Sequence, residues 1–296
     1  MAIVADDSDV LSALREAILR ALPDLAGQSF VAAPRGRDSL AVEVGGRLIF
    51  KFPRHEAAEA RLRKEARLLA AIRPRLSTPV PDMSLIEGPP LFSRHRKLIG
   101  EHLPPDAYDA VSVQGRDRIA GQLALFYAEL HALDVAEVSS LGAGPIGAWL
   151  PVDEIARKAL PRLPPVAWPR AEAALDAYAR LPPDPHGETF GFFDGHGWNL
   201  AFEAGREQLN GVYDFGDSGF GGLHQEFIYS NITSFDLTDR IVAAYKALTG
   251  RELDRDRIDL LTGVHGLSEL AELSDDPVKV AAGVERVMRW VRHARP

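Results

Sequence analysis

The stretch that decides the fold runs Phe192-Phe193-Asp194-Gly195-His196-Gly197-Trp198-Asn199 and resumes at Val212-Tyr213-Asp214-Phe215-Gly216-Asp217. Asp194 and Asn199 are five residues apart, and Asp214 follows fifteen after Asn199. Between them, Leu200-Ala201-Phe202 and Leu209 to Tyr213 are apolar runs on either side of Gly205, the pattern of two short strands joined by a turn. Pairing around the Ala204 to Glu207 loop sets Asn199 near Val212, within two residues of Asp214, with Asp194 on the entering loop. Two hard oxygen donors beside a further carboxylate suit Mg²⁺ carrying a phosphate chain. In phosphoryl transfer the same arrangement leaves one Asp to receive the proton of an acceptor hydroxyl.

Working outward, Arg47-Leu48-Ile49-Phe50-Lys51-Phe52 reads as a strand with Leu48, Phe50 and Phe52 on one face, Lys51 and Ile49 on the other, and Pro53 at its end. Ala57 to Ile72 reads as a helix whose apolar stripe is marked by Leu62, Leu69 and Ile72. Glu65 sits on that stripe, three residues after Leu62. A carboxylate on a buried stripe needs a cation, because an unpaired buried charge is costly. Lys51, fourteen residues upstream, is the natural partner.

These motifs resemble the kinase-type catalytic loop and metal triplet in the form used by the aminoglycoside phosphotransferase family. The loop of that family runs acid, four residues, Asn, as Asp194 to Asn199 does, and its metal Asp opens a triplet like Asp214-Phe215-Gly216. Asp217-Ser218-Gly219 resembles the continuation in the subgroup that modifies aminoglycosides. The resemblance runs from about Ser29 to about Tyr245. It implies an α+β, protein-kinase-like fold of two lobes: an N-terminal nucleotide-binding lobe (1–97) with an antiparallel sheet and a helix, and a mostly helical catalytic and acceptor-binding lobe (98–296). It also implies Asp194 as catalytic base, Asn199 and Asp214 as magnesium ligands, and Lys51 with Glu65 as the pair that anchors the nucleotide. One position departs: the family usually has His two residues before the catalytic Asp, and here Phe192 stands there. His186-Gly187-Glu188 mimics a His-Gly-acid triplet, but the residue five beyond Glu188 is Phe193, not Asn, so that register is rejected.

Ser29 to Ala33 and Leu40 to Val44 read as a first hairpin, whose turn Pro34 to Ser39 would overhang the phosphates with Ser39 and backbone N–H groups in reach. Pro79-Val80-Pro81 precedes a strand-like segment from Leu91 to Arg96, and Gly100 follows it, resembling the hinge where backbone groups hold the base. ATP is the default donor, with GTP possible. Leu103 to Gln114 reads as a linker. Helices are expected over Arg116 to Leu133, Ala171 to Arg180, Glu226 to Leu248, Arg255 to Leu273 and Pro277 to Arg292. The proline-rich stretch 161–169 reads as a break between elements.

Composition bounds the answer. At 296 residues and 46% hydrophobic the chain can bury a sizeable core and is not disordered. It has no cysteine, so disulfides and thiolate metal sites are excluded. The start, Met1 to Asp7, lacks a basic region and continues as an amphipathic helix through Leu14, Ile18 and Leu22, unlike a signal peptide. No apolar run is long enough to cross a bilayer. A cytoplasmic protein is expected. Residues 1–97 carry 16 Lys+Arg against 12 Asp+Glu, and residues 98–296 carry 18 against 30. A basic first half suits a polyanionic nucleotide, while an acidic second half either attracts a cationic acceptor or simply keeps helices solvated. This balance argues against nucleic-acid binding. Oligomeric state is not legible.

The acceptor expected from kinship is an aminoglycoside or related amino sugar, with a link to antibiotic resistance. A macrolide, choline or a sugar stays open. Asp236 and Asp239 would bind ammonium groups or be solvated, and Glu226, in the place of a family acid, would fix the loop or face the acceptor. His196 and Trp198 are expected to support and pack the loop, and Phe215 to pack on the helix bearing Glu65. Two rivals remain at this stage: a catalytically silent nucleotide-binding module, favoured only by Phe192, and a metal-dependent hydrolase using Asp194, His196 and Asp214, which leaves Lys51 and Glu65 unexplained.

Overall fold

A computed structural model describes residues 7–33 and 38–293. Of the expected phosphate-covering turn, positions 34–37 lie outside the described residues. The first helix, α1 (Asp7–Ala21), leads into β1 (Phe30–Ala32), β2 (Ser39–Val44) and β3 (Leu48–Pro53). Helix α2 (Glu56–Ile72) follows, then β4 (Ser84–Ile86) and β5 (Phe92–Arg96). The strands form one five-stranded antiparallel sheet in the order β1-β2-β3-β5-β4. Alternation along β2 and β3 turns Val42, Val44, Phe50 and Phe52 onto one face, where they bury against Ala17 and Ile18 of α1 and Phe92 of β5. Lys51 therefore points to the opposite face. Its backbone is fixed on both sides, since it pairs with Ala41 of β2 and Ser93 of β5.

Helix α2 does not share that small core. Its buried residues Leu62, Leu68, Leu69 and Ile72 join the largest apolar cluster of the molecule, which continues through Leu103, Ile119, Phe126, Leu200, Phe215 and Ile241. The helix thus ties the sheet to the helical half.

That half contains α3 (Pro105–Asp109), α4 (Val113–His131), α5 (Val135–Ser140), α6 (Val152–Ala159) and α7 (Trp168–Ala179). Four short strands follow: β6 (Glu188–Gly191), β7 (Leu200–Glu203), β8 (Gln208–Val212) and β9 (Gly219–Gly222). The chain closes with α8 (Leu223–Glu226), α9 (Phe235–Thr249), α10 (Arg255–Glu272) and α11 (Pro277–Arg292). Strands β7 and β8 make the expected hairpin, with Leu200 opposite Val212 and Glu203 opposite Gln208. A second apolar cluster joins α6, α7, α10 and α11 around Ile155, Leu175, Leu267 and Trp290.

Three expectations are corrected. The linker from Leu103 to Gln114 is largely helical: α3 begins with Pro105 in its first turn, where a missing N–H costs nothing, and Ser112 caps α4 by accepting the N–H of Gly115 at 3.1 Å. The single helix from Glu226 to Leu248 is three pieces, α8, a 3₁₀ turn over Tyr229–Ile232, and α9. Side chains compete with the helix there: Ser230 bonds the Phe227 carbonyl at 3.0 Å, and Ser234 accepts the Asp236 N–H at 3.2 Å and starts α9 afresh. Trp198 packs the loop only in part: its ring lies 5.9 Å from that of His196, centroid to centroid, but it is 43% exposed. Among the described residues no helix is long and apolar enough to cross a membrane.

Candidate active site

Lys51 reaches off the middle of the sheet toward α2. Its Nζ lies 3.2 Å from Glu65 Oε2 and 2.8 Å from Asp214 Oδ1. Glu65, 2% exposed, also accepts the Phe215 N–H at 3.0 Å. One buried carboxylate thus holds both the sheet lysine and the backbone just after the metal-type Asp. Burial works against the Lys51 ammonium, but Glu65 and Asp214 outweigh it and raise its pKa above the ordinary value. The Lys51 charge in turn holds the Asp214 carboxyl below the usual range. Asp214 takes left-handed backbone angles, φ 70° and ψ 69°, which turn its side chain back toward Lys51.

Asp194 sits on the loop after β6. Asn199 ends a 3₁₀ turn at the mouth of β7, and its Nδ2 donates to Asp194 Oδ2 at 2.6 Å and to the Asp194 carbonyl at 3.0 Å. The Tyr213 N–H donates to the Asn199 carbonyl at 3.0 Å, so Asn199 and Asp214 flank one end of the hairpin. His196 Nε2 lies 3.2 Å from Asp194 Oδ1. Burial opposes the imidazolium, yet the hydrogen bond and charge of Asp194 prevail and raise its pKa above 6.5.

The loop is held from beneath. Glu226 is fully buried and accepts the N–H of Phe192 and of Phe193, each at 2.9 Å, while His131 Nε2 lies 3.4 Å away. Phe193 has φ 55°, a left-handed conformation unusual for a non-glycine residue. Where the family usually has His, the Phe192 ring fills the core, 4.9 Å from the Phe215 ring and 5.7 Å from that of Phe126, centroid to centroid. Backbone must also approach closely: a Cβ on Gly197 would stand 1.8 Å from the Leu103 carbonyl oxygen.

Lys51, Glu65, Asp194, Asn199, Asp214 and Ser39 line one cleft of about 800 Å³ between the sheet and the helical half. Behind Lys51 the cleft continues into a more apolar cavity of about 410 Å³ bordered by Ile49, His95, Leu98 and Tyr213. On the far side of Asp194 lies a cavity of about 590 Å³ walled by Trp149, Trp198, Tyr229, Asp217, Glu269 and Arg286.

The structure separates the proposed acceptor residues from this cavity. Glu226 is enclosed beneath the loop and binds its backbone, which resolves its two readings toward fixing the loop. Asp236 accepts from Tyr108 Oη at 2.7 Å and Arg240 Nε at 2.9 Å, and Asp239 pairs with Arg255; neither lines the cleft. Acidity of the second half pointed to those helices, but their carboxylates are already matched to arginines. The acids beside Asp194 are instead Asp217, Glu269 and Glu272. Asp217 was in view as part of the metal motif; Trp149, Glu269 and Arg286 carry no local signal and meet only through packing of α10 and α11 against the segment before α6.

The donor set suits magnesium. Asn199 spends its amide nitrogen on Asp194, which leaves its carbonyl oxygen for a hard cation, and Asp214 supplies a carboxylate. Among the described residues no group of three or more His, Cys, Asp or Glu forms a self-sufficient metal cage.

The chain matches the phosphotransferase enzyme family (APH) over residues 16–261. Among solved structures it is similar to the GDP complex of wild-type aminoglycoside 2'-phosphotransferase-IIIa, at 22% identity over 95% of this chain and 98% of the other, with a TM-score of 0.82. It is also similar to the GDP and kanamycin complex of APH(2")-IIia, at 20% identity over 96% and 99% with a TM-score of 0.80. A macrolide 2'-phosphotransferase from Brachybacterium faecium matches at 19% identity over 97% and 99% with a TM-score of 0.61. A comparison with curated protein sequences gives no match. The two-lobed kinase-like fold and the family match over most of the chain agree: this chain belongs to the phosphotransferase enzyme family.

Proposed function

We propose that this phosphotransferase moves the γ-phosphate of a purine nucleoside triphosphate, ATP as first choice and GTP as alternative, to a hydroxyl of a small molecule bearing an amino sugar. Aminoglycosides are the first class to test and macrolides the second. The observation that carries the reading is the convergence of Lys51, Glu65, Asn199 and Asp214 around Asp194 in a single cleft. Lys51, held charged by Glu65 and Asp214, would grip the phosphates. The base would lie in the apolar cavity behind it. Asn199 and Asp214 would hold Mg²⁺, which supplies charge neutralisation on the phosphate chain. Asp194, oriented by Asn199 and open to the acceptor-side cavity, would accept the hydrogen bond of the incoming hydroxyl and take its proton. Alignment and charge stabilisation would do most of the work, as phosphoryl transfer requires. The Lys51–Glu65 pair and the two-sided cleft support transfer to an acceptor rather than hydrolysis by water.

The test is nucleotide consumption measured across a panel of aminoglycosides, macrolides and small alcohols, with Asp194→Ala in parallel. Acceptor-dependent turnover by the native chain, lost in the variant, is expected. Full acceptor-dependent turnover by Asp194→Ala sinks the base assignment. The same panel scored as growth of a susceptible bacterial host expressing the chain tests a role in resistance, and its cell fractionation tests the cytoplasmic location.

A further inference from the structure

Arg286, on α11, reaches into the acceptor-side cavity and pairs there with Glu269 of α10. The same Glu269 oxygen lies 3.7 Å from His265 Nδ1, but burial lowers the His265 pKa below 6.5, so the guanidinium is what balances Glu269 at neutral pH. Aromatic and apolar side chains share the lining: Trp149, Trp198, Tyr229 and Ile146 border the same cavity. A cavity in the acidic half of the chain therefore carries a cation paired to Glu269 on its lining.

We propose that Arg286 sets the charge selectivity of this cavity, narrowing its preference for polycations so that acceptors with a single ammonium group on a largely apolar frame are also admitted. The inference rests on reading the cavity as the acceptor site. A polycation must find a carboxylate for each ammonium group it brings out of water. Glu269 is taken up by Arg286, and Asp194 faces the reacting hydroxyl, which thins the carboxylates that this wall can offer to a polycation. Each additional ammonium also meets the field of the guanidinium. The tryptophan and tyrosine faces reward the other kind of acceptor, because a flat π surface takes both an apolar sugar face and one nearby cation.

The experiment compares kcat/KM for kanamycin with kcat/KM for a macrolide carrying one dimethylamino sugar. Arg286→Gln keeps the hydrogen bond to Glu269 but removes the charge. With exposed ion pairs each worth roughly twofold to fivefold, the kanamycin-to-macrolide ratio should rise by about tenfold. Added salt should shrink that rise. Arg286→Lys should keep the native ratio, Glu269→Gln should lower it, and the double variant Arg286→Gln/Glu269→Gln should return it to within about twofold of native, because charge rather than shape is at issue. An unchanged ratio in Arg286→Gln, or an equal rise in the double variant, overturns the inference. Calorimetric binding of both acceptors gives the same ratio without turnover. A shifted binding ratio with no phosphate transfer upholds the charge selector and overturns the proposed activity, whereas transfer with an unshifted ratio does the reverse.

Discussion

Replacing Glu226 with Gln should loosen the loop that carries Asp194 without altering any side chain proposed to act on nucleotide or acceptor. The carboxylate is wholly enclosed and receives the N–H of Phe192 and of Phe193 at 2.9 Å each. Glutamine has the same shape but one acceptor oxygen and one NH₂, so one of those two backbone donors then faces another donor. A buried N–H left unpaired costs about 1–3 kcal/mol. The surviving bond loses its charge assistance, which adds about 1 kcal/mol. The sum, about 2–4 kcal/mol, should lower Tm by roughly 4–12 °C in a chain of this size. Phe193 at φ 55° stores strain of about 1–3 kcal/mol that only this clamp and the surrounding core restrain. Once the clamp weakens, the loop relaxes and Asp194 moves with it. We expect kcat to fall about 10-fold to 100-fold, as misplacement of a reacting group by an ångström does. Nucleotide affinity, proposed to rest on Lys51 and the apolar cavity behind it, should change little. The assays are a thermal melt, steady-state kinetics with a coupled nucleotide-release readout, and nucleotide binding by calorimetry. A Tm within about 1 °C of native together with native kcat refutes the reasoning, because the clamp would then carry no load.

Three further outcomes follow from the same geometry. His196 has its pKa raised by Asp194, so the stability from this pair is fully present below pH 6.5 and is lost as pH rises through the higher folded value; His196→Gln should remove that dependence from pH-resolved melts. An imidazole that titrates below 6.5 in the folded protein by NMR contradicts the pairing. Mg²⁺ and nucleotide together should stabilise the native chain by about 2.7 kcal/mol at a hundredfold excess over Kd, and Asp214→Asn or Asn199→Ala should abolish the metal-dependent part in a melt with and without EDTA. Gly197→Ala should cost about 1–3 kcal/mol because its Cβ meets a backbone carbonyl at 1.8 Å, while Gly216→Ala, whose Cβ would meet nothing closer than 3.8 Å, should melt near native; equal melts for the two sink the packing account.

Much of the site was legible because its chemistry is local in sequence. Asn199 and Asp214 flank one β-turn-β unit with Asp194 on the entering loop, and a hairpin this short keeps its two ends together even though its register shifts by one between Ala201 and Phe202. Lys51 and Glu65 were legible as a pair because a charge on an apolar stripe demands a partner. The role of Glu226 was not, since the two backbone donors that it serves lie more than thirty residues upstream, and nothing in its own neighbourhood distinguishes clamp from acceptor ligand. Which carboxylates line the cavity beyond Asp194 was not legible for a related reason: charge counts locate acidity in a region, while only packing decides which carboxylates are spent on arginines. Asp236 and Asp239 are spent; Glu269 is spent too, but inside the cavity and on Arg286. The break near Thr233 and the helix at Pro105–Asp109 escaped because hydroxyl and proline residues act through caps that periodicity does not register.

Sequence by itself therefore determined the hairpin that brings Asn199 and Asp214 together and the pairing of Lys51 with Glu65, since these follow from spacing and from the cost of burying a lone charge, while the kinase-like fold was implied by the resemblance of those motifs to a family. Tertiary structure alone decided what lines the cavity beyond Asp194. That surface is assembled from residues between Ile146 and Arg286 on separate segments, and whether a side chain there is a ligand or an internal counterion depends on which neighbour reaches it first.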